Sequence, residues 1–510
     1  MFSSRFPLFQ LSPVLIFAAA AASSSSNAST VIQWGTCVND FESTLPADCG
    51  TLLLLRIPAT VQPAKGSIVL NFGGPGEAGR STVAETAIIL QGLSGGQYNL
   101  ISFDPRGTPN SNLPFSCFDT DFARQAQAQG QSLPDIDNEE ALAKLWARAT
   151  IDATACAKKQ KTTGELIGTA FTARDVLSIA ENLGEDGMVR YWGYSYGTTL
   201  GATLVSMFPE KIDKVILDGV QNPHEYYHSY GDIEEWAQSD QVFSGIFTSC
   251  LQEPDACPLA YYNPTAAELE NKVWTLFDTL KTHPVPVGDL IVDENVLHGI
   301  VSNSLYSTSS WKNTTRALDM LLTGNIDEEL ILNLASAVVP VDQATLLAAT
   351  SIYSPLEGIH CSDRAARAGT YENLLPTLRE LANTSRIMGR TDMSLSMVCA
   401  QWTIDPKERY EGDFQVSPAN PVLLIGNAYD GHTPIQSARN VSSGFEGSVV
   451  LEVNGYGHSS LGVPSLCSLK TQADYWVNGT LPEPGTVCQP ESAPFSEASW
   501  LEVISKAYGA

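Results

Sequence analysis

Residues 190–199 read RYWGYSYGTT and set Ser195 between Gly193 and Gly197. A Gly-x-Ser-x-Gly pattern arises by chance in long chains, so its meaning rests on its surroundings. An apolar run, residues 189–194, precedes this serine, and a helical pattern, YGTTLGATLVSMFP, follows it. The glycines remove side chains that would clash in a tight strand-to-helix turn. Such a turn exposes the serine oxygen beside a helix N-terminus, where developing negative charge is favoured. Ser195 is therefore the candidate nucleophile.

A hydroxyl is a weak nucleophile at neutral pH and needs a nearby base, itself oriented by a carboxylate. In a strand-turn-helix arrangement of this kind the partners follow in the order serine, acid, histidine. Among seven histidines, His458 in NGYGHSS comes just after the apolar run SVVLEV, and Asp430 in GNAYDGHTP comes just after PVLLIG. Both belong to loops at the carboxyl ends of strands, the edge where Ser195 is expected. His432 is a rival base, but its two-residue separation from Asp430 suits a triad less well than a histidine from the next loop. His224, His228, His283, His298 and His360 are expected to be structural or to touch substrate. Backbone donors for a tetrahedral oxyanion are expected from Gly74, in the turn GGPG after SIVLNF, and from Tyr196, the residue after the serine.

The elements that must position these groups follow from hydrophobic pattern. Residues 51–57, 67–72, 98–103, 189–194, 214–218, 421–426 and 448–453 are short runs, apolar nearly throughout. That pattern predicts central strands of a mainly parallel sheet covered on both faces. Helical patterns lie between some of them, as in TARDVLSIAENLG, where Thr172 and Asp175 read as a capping box. An α/β fold follows, with a mainly parallel central sheet and helices on both faces. Residues 219–417 break the rhythm, being rich in helical segments and aromatics, and read as a largely helical cap insertion. The core is then split into residues 23–218 and 418–510.

Residues 1–22 combine an early positive charge at Arg5 with an apolar run and small residues, the pattern of a secretory signal peptide. The destination is extracellular or, alternatively, vacuolar. No later stretch reaches the ~20 apolar residues of a membrane span, so no membrane partner is expected. Ten cysteines fit an oxidising compartment. They fall in sequence-local pairs: Cys37 with Cys49, Cys117 with Cys156, Cys250 with Cys257, Cys361 with Cys399, and Cys467 with Cys488; other pairings are also compatible. The absence of Cys-x-x-Cys argues against zinc and redox chemistry, and no metal or cofactor is expected. Asn313, Asn383, Asn440 and Asn478 head glycosylation sequons. With 56 acidic and 29 basic residues, the formal net charge of −27 repels phosphate backbones and excludes nucleic acid as a natural partner.

The segments NFGGPGEAG, SFDPRGTPNS, WGYSYGTTLG, VILDGV, PVLLIGNAYDGHTP and GYGHSS together resemble the secreted tripeptidyl aminopeptidase and prolyl aminopeptidase group of α/β-hydrolases. The segment PSLCSLKTQADYWVNGTLPEPGTVC resembles the end of that group's TAP-like C-terminal region. The resemblance implies the α/β-hydrolase fold and cleavage of short peptides from free N-termini. It also implies Ser195, Asp430 and His458 as triad, and Gly74 and Tyr196 as oxyanion donors. Where many relatives carry histidine before the glycines, this chain has Asn71-Phe72.

A free N-terminus is an ammonium, which calls for carboxylates at the pocket. Glu77, Glu234 and Glu235 are the candidates; Glu225, Asp232 and Asp240 lie in the same stretch, HEYYHSYGDIEEWAQSD, as the last two. Tyr226, Tyr227 and Trp236 are expected in the cap core or lining the pocket. Asp104 and Arg106 in FDPRG are expected to brace the oxyanion loop by an ion pair. The leading expectation is a serine exopeptidase. A carboxylesterase or lipase using the same triad is the alternative, and a binding protein on a retired hydrolase scaffold is disfavoured because no triad member is missing.

Overall fold

The computed structural model describes residues 32–36, 48–50, 54–120, 133–262, 264–336, 343–496 and 498–509. Its strands are β1 (Trp34–Thr36), β2 (Asp48–Gly50), β3 (Leu54–Ile57), β4 (Ser67–Asn71), β5 (Asn99–Phe103), β6 (Val189–Tyr194), β7 (Ile212–Asp218), β8 (Val285–Val287), β9 (Leu290–Val292), β10 (Leu423–Tyr429), β11 (Val449–Tyr456) and β12 (Val487–Cys488). Ten of them form one sheet in the order β1-β2-β3-β5-β4-β6-β7-β10-β11-β12, while β8 and β9 make a separate hairpin. Pairing is antiparallel among β1, β2, β3 and β5. From β5 through β12 every pair is parallel. Each of the seven strand runs anticipated from hydrophobic pattern contributes a strand to this sheet.

The apolar runs lack alternation because both faces of the sheet are covered. Val69, Ile101, Tyr191, Val215 and Leu217 pack on one face with Ala173, Val176, Leu200 and Leu204 from the helices Thr169–Asn182 and Tyr196–Met207. Their neighbours Ile68, Leu70, Leu100, Trp192 and Ile216 face the other way, against Val83, Leu90, Leu469, Trp476 and Val503 from the helices Gly79–Leu93, Leu466–Asn478 and Trp500–Tyr508. Successive strand residues point to opposite faces, so a strand buried on both must be apolar throughout.

Between β7 and β10, among the described residues, lie nine of the α-helices and the β8–β9 hairpin. This insertion divides its loyalty. Residues such as Phe243, Phe247, Leu269, Trp311 and Leu318 make a core of their own. Ile359, Cys361, Leu378, Met393 and Met397, farther along, join the core on one face of the main sheet.

Four of the expected disulfides are formed: Cys117–Cys156, Cys250–Cys257, Cys361–Cys399 and Cys467–Cys488. Cys49 is disulfide-bonded; Cys37, like residues 1–22 where a signal peptide is expected, lies outside the described residues. Among the described residues no helix is long and apolar enough to cross a membrane.

Two local expectations need correction. The helix read as starting at a Thr172–Asp175 capping box begins at Thr169 and has no side-chain cap. Its first amide donates instead to Asp363 (2.9 Å), and Asp175 pairs with Arg106. Asp104 and Arg106 likewise serve different partners. Asp104 braces the loop end through Arg80 (2.9 Å to Nε), whereas Arg106 reaches Asp175 and the Leu166 carbonyl.

Candidate active site

The elbow is built as its glycines require. Ser195 sits at φ 55°, ψ −130°, a conformation that L side chains rarely adopt. A Cβ on Gly193 would lie 2.2 Å from the Gly197 carbonyl oxygen, and one on Gly197 would lie 2.4 Å from that of Asn71. Both close approaches are to backbone, which cannot step aside. From Val189 to Leu200 every residue is buried except Ser195, which is partly exposed. The Ser195 amide donates to the carbonyl of Asp218 at the end of β7 (3.2 Å).

The glycine turn after β4 folds directly against this elbow. A Cβ on Gly73, at φ +103°, would come within 2.9 Å of both the Tyr194 carbonyl oxygen and the Tyr196 nitrogen. Asn71 accepts the Gly73 amide on its side-chain oxygen (3.1 Å), and Phe72 stacks on Tyr194 with ring centroids 5.3 Å apart. These two residues thus tighten the turn from its own strand. Among the described residues neither the Gly74 nor the Tyr196 amide donates a hydrogen bond. Tyr196 is held from behind: its hydroxyl meets Thr169 Oγ1, which donates to the buried carboxylate of Asp363.

Asp430 and His458 meet at the same edge. His458 Nδ1 lies 3.1 and 3.2 Å from the two Asp430 oxygens. The Asp430 carboxylate is fully buried and also accepts the amides of His432, Thr433 and Ser459 and the Thr433 hydroxyl, each at 2.9 Å. Burial alone would raise its pKa, but the His458 charge and these donors outweigh it and hold the carboxyl below its ordinary range. Burial would likewise lower the pKa of His458; Asp430, with help from Asp218 and Glu77, reverses this and holds it above the usual histidine value. His432 has no such partner. Burial pushes its pKa down to about 3, its ring stacks on Tyr306 at 3.8 Å, and its Nε2 is buried without a hydrogen bond. The structure therefore brings His458, and not His432, onto Asp430.

Tyr306 carried no sequence signal, yet it completes the histidine loop. Its carbonyl accepts the His458 amide (2.8 Å), its neighbour Ser307 bridges Gly457, and its ring meets the His458 ring edge-on at 5.3 Å. Tyr306 as a whole residue remains 48% exposed. Only the folded insertion, which carries residues 305–307 over the sheet edge, reveals this contact.

The three carboxylate candidates differ in freedom. Glu234 is committed: its oxygens accept from Ser437 Oγ and Asn440 Nδ2, both at 2.6 Å. Glu235 accepts one bond, from Gln221 Nε2 (3.1 Å). Gln221 in turn accepts from Thr199 Oγ1 (2.7 Å), one turn along the helix that Ser195 begins. Burial, reinforced by Asp232, Asp392 and Glu225, pushes the Glu235 carboxyl well above the usual range. Glu77 is exposed, next to the glycine turn, and close enough to His458 to feel its charge. Of the remaining acids, Asp232 is neutralised by Arg364 and faces His360, and Asp240 caps the chain at Ser385–Ile387. Tyr226 and Tyr227 are fully buried, and Trp236 packs edge-on near His432. Among the described residues no cluster of His, Cys, Asp or Glu could hold a metal ion.

The sequence is similar to those of known proteins. Residues 66–251 match the family model described as alpha/beta hydrolase fold, and residues 385–488 match the one described as TAP-like protein. Serine protease Hip1 of Mycobacterium tuberculosis is 24% identical over 472 residues, covering 86% of this chain and 84% of its own. Tripeptidyl aminopeptidase of Streptomyces lividans is 23% identical over 500 residues, covering 91% and 87%. Carboxylesterase B of M. tuberculosis is 25% identical over 455 residues, covering 86% and 82%.

Proposed function

Because this chain belongs to the α/β-hydrolases that carry a TAP-like C-terminal region, we propose that it is a secreted serine exopeptidase, releasing short peptides or single residues from free peptide N-termini. The observation that carries this reading is the Asp430–His458 pair presented at the same sheet edge as the Ser195 elbow. In the proposed reaction His458 Nε2 takes the Ser195 proton as Oγ attacks the scissile carbonyl, and Asp430 steadies the imidazolium through Nδ1. The amides of Gly74 and Tyr196 stabilise the tetrahedral oxyanion. His458 then gives its proton to the departing amine, leaving an acyl-enzyme that water, activated by the same imidazole, hydrolyses. Ser195 Oγ makes no hydrogen bond among the described residues, and nucleophile–base contacts of unliganded sites commonly tighten when substrate binds.

The substrate ammonium is assigned to Glu235 and Glu77, because Glu234 has both oxygens engaged. An ammonium beside Glu235 would supply the opposite charge that its partly buried carboxylate lacks. The Hip1 and tripeptidyl aminopeptidase relatives support a peptide substrate. The carboxylesterase B relative supports a second reading, in which the same triad cleaves esters.

Three measurements decide. Ser195→Ala is expected to abolish turnover and labelling by a fluorophosphonate probe; undiminished turnover would remove Ser195 from the mechanism. Wild-type enzyme is expected to cleave peptidyl amides with free N-termini much faster than their N-acetylated forms, and equal rates would rule out the aminopeptidase reading. Acyl-ester cleavage with no peptide cleavage would establish the ester alternative.

A further inference from the structure

A second buried carboxylate lies at the site and has no place in the triad. Asp218 ends β7, paired in register with Tyr194 of β6, and is fully buried. Its main chain and side chain serve different catalytic segments. The carbonyl accepts the Ser195 amide at 3.2 Å. The carboxylate accepts the Ser460 amide at 2.8 Å and the Ser460 hydroxyl, two residues past His458. Gln472 Nε2 donates to that same hydroxyl (3.2 Å), which leaves the Ser460 proton directed at Asp218.

We propose that Asp218 is a positioning residue that ties the His458 loop to the Ser195 elbow and whose negative charge supports the imidazolium formed during turnover. The inference rests on the proposed roles of Ser195 and His458. One residue here connects nucleophile and base through its own covalent frame, so their separation does not depend on chained loop contacts. Residues acting at this remove change rate through geometry, and a misplacement of ~1 Å is worth about 100-fold.

The charge component has a defined surrounding. Facing His458 are Asp430 from the loop after β10, Asp218 from β7, Glu77 from the glycine turn and the neutral His432. Asp218 in turn faces His458, Asp430 and the Tyr194 hydroxyl. Burial raises the Asp218 carboxyl to about 7, against the pull of Ser460. Where Asp218 is ionised its charge favours the protonated imidazole, so a neutral side chain in its place lets the basic form of His458 persist to lower pH.

The test uses the full chain and a chromogenic acyl ester whose cleavage depends on Ser195, with active sites counted by phosphonate titration. Asp218→Asn is expected to lower kcat per titrated site by about 100-fold. KM should stay unchanged, and the acidic limb of kcat/KM should move to lower pH by about half a unit or more. Ser460→Ala removes one tie together with the hydroxyl that helps hold Asp218 ionised; it should lose about tenfold in kcat, with the limb moving in the same direction as in Asp218→Asn. An acidic limb that does not move in Asp218→Asn overturns the inference whatever the total activity. Should that variant not fold, an unchanged kcat per site in Ser460→Ala overturns it instead. Activity surviving in Ser195→Ala would refute the triad itself, a result distinguishable from the failure of Asp218 alone.

Discussion

Ser195 holds a positive φ that costs a non-glycine residue about 1–3 kcal/mol, a strain that persists only where the surrounding structure imposes it. Here the imposing parts are visible: glycines at 193 and 197, the Asn71 turn in front and the Asp218 carbonyl behind. The serine, aspartate and histidine were legible because each follows an apolar strand run and precedes a helix or a glycine-bearing loop. Asp218 and Tyr306 were not, because their roles depend on partners such as Ser460 and His458, 242 and 152 positions away. Glu235 could be named but not separated from Glu234 until the folded chain gave Glu234 two partners. Glu235→Gln is expected to raise KM for substrates with a free amine by roughly 10- to 100-fold, the worth of one charge-assisted bond. It should leave N-acetylated substrates unaffected. Glu235 must be ionised to hold an ammonium, and its pKa is raised. In wild type, KM for free amines should therefore climb as pH falls, starting above the ordinary carboxylate range, and steady-state kinetics across pH with both substrate types checks both expectations.

At the scale of elements, the central strands could be read because burial on both faces makes them apolar throughout, as in β4 and β6. The edge strands β1 and β12, and β2 beside β1, two or three residues each, are too short to carry a period. The helix Thr169–Asn182 was misplaced at its start because its first amide is satisfied by a side chain 194 residues distant rather than by a local cap. The start of the elbow helix is fixed by backbone approach, and Gly197→Ala tests how firmly. Its new methyl would meet the Asn71 carbonyl at 2.4 Å, so either the glycine turn or the helix must shift. The expected cost is about 1–3 kcal/mol in urea unfolding, with active-site titration by phosphonate reduced in step.

For the whole molecule, the inserted residues between β7 and β10 are partly a body of their own and partly an extension of the main core, a division invisible to composition. Surface chemistry reports on this packing. Asn313, Asn383 and Asn478 are exposed, whereas Asn440 donates to Glu234 and accepts from Gln436. Expressed through a glycosylating secretory pathway, the folded chain is expected to carry glycans at Asn313, Asn383 and Asn478 and to leave Asn440 bare, as peptide mass mapping of the secreted protein would show. The contact between Tyr306 and the His458 amide has a wider consequence. A hydrolase core is often treated as a chassis onto which different lids can be grafted to change specificity. In this protein the insertion supplies a main-chain bond to the loop of the proposed base. A chimera given a foreign insertion would inherit the triad's sequence without this support, so recombination between relatives must carry the 305–307 segment together with the loop it holds.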